Sequence, residues 1–197
     1  MKLLKCSIPL LFLLSFSTKL YSQSKMKIDL GAPISIHESH LIEFAYSMKM
    51  SFSSYVFDKV RMGIGAGFIN SQTITNGIVV GYNRTHMTSL FQVSYDLIQK
   101  NRFTLVAEYG IGASYTNAQL SRFSSEVETG FHMLNTFSLN LEYQFSNKWD
   151  GVLSTGYMLM SGEFEPDYNG SPAYYRVGNT QVGEYVQVVL GLQYTLM

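Results

Sequence analysis

Between Leu41 and Phe52, in LIEFAYSMKMSF, two kinds of side chain alternate. Ile42, Phe44, Tyr46, Met48, Met50 and Phe52 hold one parity, and Glu43, Ala45, Ser47, Lys49 and Ser51 hold the other. A strand points successive side chains to opposite faces, so this stretch predicts a strand with six large apolar groups on one side. Something apolar has to cover that side.

The same pattern returns along the chain. Ile28, Leu30, Ala32, Ile34 and Ile36 share a parity, as do Val60, Met62, Ile64, Ala66 and Phe68 opposite Arg61, Gly63, Gly65 and Gly67. Met87, Phe91, Val93, Tyr95 and Leu97 follow, then Phe103, Leu105, Ala107, Tyr109 and Ile111 facing Thr104, Glu108, Gly110 and Gly112. Phe137, Leu139, Leu141, Tyr143 and Phe145 alternate with Ser138, Asn140, Glu142 and Gln144. Trp149, Leu153, Tyr157 and Leu159 form a sparser set, and Val186, Val188, Leu190, Leu192, Tyr194 and Leu196 close the chain. With the opening stretch this predicts eight strands of about ten residues, the length a tilted strand needs to cross a bilayer.

The connections alternate too. Breaks near 53–58, 98–102 and 146–148 are short, whereas those near 70–85, 113–130 and 162–181 are long, polar and rich in Ser, Thr, Asn and Gly; HESH at 37–40 is a short exception. Short turns at one end and long loops at the other predict a bacterial outer-membrane barrel with periplasmic termini. Composition agrees. Charged residues make up 14% of the 197, against roughly a quarter in ordinary soluble domains, while aromatics reach 14%. Mean hydropathy is nevertheless close to neutral, as it must be where apolar and polar residues alternate.

Residues 1–22 read as a secretory signal: Lys2 and Lys5 precede an apolar run, Ser7 to Phe16, too short to act as a stop-transfer helix. Cleavage after Ser22 leaves 23–197, and losing Lys2, Lys5 and Lys19 brings the balance to about −3. Such a charge makes no case for nucleic acid as a partner. Cys6, the single cysteine, falls within the signal, so the mature chain has no disulfide.

A soluble barrel with the apolar parity inside would show water many Lys and Glu. Here the polar parity is small and mostly uncharged, including Gly63, Gly65, Gly67, Gly110, Gly112, Gly156 and Gly191, which suits the crowded interior of an eight-stranded barrel. Aromatics gather next to the short turns at Phe52, Tyr95, Phe103, Phe145, Trp149 and Tyr194, as an interfacial girdle requires. Over nearly all of 26–197 the chain resembles the small outer-membrane β-barrels of the OmpA and OmpX type, in its leader, alternating strands, loop asymmetry and apolar last strand. The resemblance implies an all-β, eight-stranded antiparallel up-and-down transmembrane barrel. It also implies outer-membrane lipid and lipopolysaccharide around that barrel and insertion by the barrel-assembly machinery. Where that family ends on an aromatic residue, this chain ends Tyr194-Thr195-Leu196-Met197.

The expected role is structural or surface-interacting, with no cofactor and no catalysis. The alternative is a lipid A-modifying enzyme, a deacylase or acyltransferase. One deacylase family looks like a His-x-Ser-Asn strand motif, and none of the four histidines here continues that way. Glu38, Ser39 and His40 are triad residue types, but neighbours in one hairpin do not give nucleophile–base–orienter geometry. His37, His40, His86 and His132 all fall at the long-loop ends of their strands; as imidazoles they are candidates for a rim metal site, against plain polar residues gathering near water. Gly63 to Gly67 alternates within a strand and has no following helix, so it is no phosphate loop.

Two further groups stand out. Phe164, Tyr168, Tyr174, Tyr175 and Arg176 make the last long loop a candidate recognition surface for an extracellular ligand or protein, or a collar on lipid headgroups. Lys49, Arg61, Asp96, Glu108 and Glu142 share the inward parity, so opposite signs are expected to pair in the lumen. With Met158, Gln187 and Gln193 they predict a plugged interior without a permanent channel, which Arg61→Ala would open.

Overall fold

The computed structural model describes residues 23–35, 41–75, 82–120, 126–161 and 183–196. They form β1 (Ser24–Ser35), β2 (Leu41–Phe57), β3 (Val60–Thr75), β4 (Tyr82–Lys100), β5 (Phe103–Leu120), β6 (Glu126–Gln144), β7 (Trp149–Ser161) and β8 (Gly183–Leu196). Each strand pairs antiparallel with its sequence neighbours, and β1 closes on β8 from Ser24↔Leu196 to Ser35↔Tyr185. Closure removes the edges, so the backbone groups within the ladders are satisfied in the sheet itself, the condition for crossing lipid with strands.

The molecule is apolar outside and largely polar inside. Leu190 is 67% exposed and Lys27 only 6%, the reverse of a soluble domain. Tyr46, Met48, Met50 and Phe52 of the opening stretch all face outward; Ile42 and Phe44 lie outside the side chains described. Next to the short turns, Phe103 stacks on Tyr143 and Trp149 on Tyr194, each at 4.8 Å between ring centroids. A second band that the sequence did not suggest lies towards the other end, where Tyr115 meets Phe131 at 5.0 Å and Tyr46 meets Phe68 at 6.1 Å.

The strands run longer than the expected ten residues, from 12 in β1 to 19 in β4 and β6. Much of the sequence near 70–85 and 113–130, expected as loop, is in fact paired strand, with β3 reaching Thr75 and β5 reaching Leu120. Polarity of side chains does not end a ladder; loss of backbone pairing does. Polar cross-strand pairs such as Asn70 Nδ2 donating to Thr85 Oγ1 (3.0 Å) hold the extension together.

The short turns have local causes. Between β6 and β7, Ser146 Oγ accepts from the backbone N–H of Lys148 and Trp149, at 3.3 and 3.1 Å. Between β4 and β5, Asn101 takes φ 54°, the left-handed region that Asn tolerates through its own short polar side chain. Asn101→Val should cost about 1–2 kcal/mol and Asn101→Gly almost nothing. Urea midpoints of lipid-refolded protein measure the difference, and equal midpoints would refute it.

Candidate functional site in the barrel lumen

Two polar groups fill the half of the lumen nearer the short turns. The first sits at the mouth. Arg61 on β3 reaches Asp96 Oδ1 through Nη2 (2.9 Å) and Glu142 Oε1 through Nη1 (2.8 Å). Tyr55 donates to Asp96 Oδ2 (2.8 Å) and places its ring 5.5 Å from the guanidinium carbon. Irregular pairing near Tyr55 on β2 and Asp96 on β4 accompanies this approach. Lys25 Nζ stands 3.2 Å from both Glu142 Oε2 and Asp150 Oδ2, and Gln193 Nε2 donates to the same two oxygens.

The second group centres on Glu108. Lys49 Nζ and Gln92 Nε2 meet its Oε1 at 3.2 and 2.9 Å, while Lys27 Nζ, Ser94 Oγ and Asn140 Nδ2 meet Oε2 at 3.3–3.4 Å. Asp29 Oδ2 bridges the two lysines at 3.2 and 3.4 Å. A buried carboxylate is stable only if its lone pairs are taken up, and five donors from β1, β2, β4 and β6 do that here.

The structure therefore brings Lys49, Arg61, Asp96, Glu108 and Glu142 into the lumen, with Arg61 on two carboxylates and Lys49 on Glu108. Sequence reading missed Lys25, Lys27, Asp29, Asp150 and Tyr55. The signal for the first three was present: they alternate with Met26, Ile28 and Leu30, so period two already sent them inward. Asp150 is the second residue of β7, the strand with the sparsest apolar pattern, and Tyr55 adjoins an irregularity, so both were harder to place.

Of the histidines, His86 and His132 are buried and point inward, and His86 Nδ1 lies 2.8 Å from Thr116 Oγ1. His37, His40, Glu38 and Ser39 fall outside the described residues, as does the candidate recognition loop with Phe164, Tyr168, Tyr174, Tyr175 and Arg176. Among the described residues no three His, Cys, Asp or Glu side chains are arranged to hold a metal ion.

Comparison with solved structures places this architecture. The chain superimposes on Neisserial surface protein A with a TM-score of 0.57 at 9% identity, covering 87% of this chain and 95% of that one. A major outer membrane protein from Thermus thermophilus gives 0.55 at 13% identity, with 87% and 99% covered. The fold is that of the small outer-membrane β-barrels. OprG from Pseudomonas aeruginosa is a third barrel of this kind, at 0.53 and 13% identity over 88% and 95%. No family model and no curated protein matches the sequence.

Proposed function

We propose that this chain is an integral outer-membrane β-barrel with a structural or surface-interaction role and a lumen that does not conduct. The outward face supports the location. Its aliphatic and aromatic side chains, such as Leu139, Leu190 and Phe91, would be exposed to water in a soluble protein, and lipid with lipopolysaccharide is the solvent that fits them. The short turns then face the periplasm, and the barrel-assembly machinery inserts the chain from that side. The long loops face outward, and residues 162–179, with Phe164, Tyr168, Tyr174, Tyr175 and Arg176, would meet an extracellular ligand or protein.

The observation that supports a lumen filled by side chains is the ion network in its periplasmic half. Arg61, Lys25, Lys27 and Lys49 are each tied to two carboxylates, and the pairs of Lys25 and Arg61 with Glu142 and of Lys27 and Lys49 with Glu108 join strands that are not neighbours. An eight-stranded barrel has an interior that side chains fill, and these side chains occupy its periplasmic half.

Three measurements test the reading. Expressed with its leader in a Gram-negative host, the protein should sediment with the outer membrane; recovery in the soluble periplasm would overturn the location. In planar bilayers the wild type should leave the current at its protein-free level, and steady porin-like conductance would overturn the closed lumen. Lipid A incubated with the purified protein should keep its acyl chains, and their hydrolysis or transfer would move the reading to the lipid-modifying enzyme.

A further inference from the structure

Beyond the ion network the lumen changes character. Ile69, Leu90, Leu134, Met158, Met160 and Tyr185 are all buried and form one apolar cluster. They come from β3, β4, β6, β7 and β8, and β3 and β7 stand on opposite walls of an eight-stranded closed sheet. The cluster therefore crosses the lumen as a septum.

Its tightness has a cause in the sequence. Leu90, Gly112 and Leu134 are register partners on three adjacent strands. A Cβ on Gly112 would collide with the backbone carbonyl of Ser89, and Leu90 Cδ2 lies 3.4 Å from where a Cβ of Gly110 would stand. The bare inner wall at Gly112 lets the backbone of β4 approach closely, with Leu90 and Leu134 on either side.

Against the septum lies a cavity of about 40 Å³, lined by four of its six residues, Ile69, Leu90, Leu134 and Met158, and also by Asp29, Asn140 and Ser154. Three oxygens of that polar wall, Asp29 Oδ1, Asn140 Oδ1 and Ser154 Oγ, are buried and have no hydrogen-bond partner among the described residues. Asn140 and Ser154 are register partners, and Asp29 Oδ1 occupies the place a Cβ of Gly191 would take. Buried acceptors of this kind are satisfied by ordered water, and the volume accommodates about two to four molecules at roughly 10–15 Å³ each.

We propose that the septum, and not the ion network, is the permeability barrier of this barrel. Water enters from the periplasmic mouth, hydrates the network and the cavity, and stops at the apolar layer. The side chains of Lys25 and Lys49 remain 13% and 23% exposed, so the network is open to water. An ion passing this layer would lose hydration that five aliphatic or thioether side chains and the single hydroxyl of Tyr185 cannot replace, the principle of a dewetted constriction. The inference rests on the reading of a bilayer barrel with a closed lumen. It also changes the expectation for Arg61→Ala, which should stay silent because the septum is untouched.

Planar-bilayer recordings on three proteins decide it. The wild type and the charge-balanced pair Arg61→Met/Glu142→Gln should both hold the current at the protein-free level. The same pair combined with Leu90→Ser and Leu134→Ser should pass a steady current. Conduction by Arg61→Met/Glu142→Gln with the septum intact overturns the proposal, as does silence of the fourfold variant when circular dichroism shows it folded. Conduction by the wild type would instead sink the closed-lumen reading itself. Should the fourfold variant not fold, a crystal structure of the wild type decides. Waters on Asp29 Oδ1, Asn140 Oδ1 and Ser154 Oγ with none among the six apolar side chains are expected, and water threading the cluster, or an empty cavity, overturns the proposal.

Discussion

Glu108→Ala should destabilise the barrel by about 3–5 kcal/mol, the cost of removing one partner from a buried ion pair. Five donors converge on this carboxylate, among them Lys27 and Lys49. Without it the two ammonium groups share only Asp29 Oδ2. The penalty is the uncompensated charge and not the lost attraction, so the surroundings decide its size. Combining Glu108→Ala with Lys49→Met should therefore cost clearly less than the sum of the two single changes, since it restores the balance of charge. Urea unfolding of the lipid-refolded proteins provides the four free energies of this cycle. Additive values, or a loss under about 1 kcal/mol for Glu108→Ala, would show that Lys27 and Lys49 do not depend on Glu108 for charge compensation.

Leu139→Arg is expected to cost roughly 2–4 kcal/mol, the range for a cation on the lipid face near the bilayer midplane. Leu139 points outward between Ala107 and Thr155 on the neighbouring strands. It lies four residues from Tyr143 of the aromatic girdle, about 13 Å along the strand at roughly 3.3 Å per residue. Its neighbour Ser138 is buried on the lumen side, so Ser138→Ala should be nearly silent. The contrast between adjacent residues is what the phase of β6 demands. Equal tolerance of both substitutions in lipid would contradict the phase and, with it, the orientation of the whole wall.

These two experiments probe parts of the molecule that were unequally legible. The lipid face could be read from the sequence because a strand's faces are a local property. In β6, Phe137, Leu139, Leu141 and Tyr143 declare their side without reference to any other strand. The inward parity was legible for the same reason, and Lys27 and Asp29 stand on it, alternating with Met26, Ile28 and Leu30. The strand ends were not legible, since Thr73, Thr75 and Asn117 look like loop residues until a partner strand runs beside them.

The alternation of large and small side chains thus determined, by itself, that the chain forms strands, which way each strand faces, and that apolar groups must meet lipid. Which charges meet was decided only by closure. Arg61 finds Asp96 35 residues away, and Lys25 finds Asp150 125 residues away. The common register of eight strands brings each pair to one height. The septum has the same origin. Leu90 and Leu134 look like lapses in a polar parity until Gly112 is seen to stand between them. A side chain's face is set by the residues on either side of it, whereas its height in the lumen and its partner across it depend on every strand in the ring.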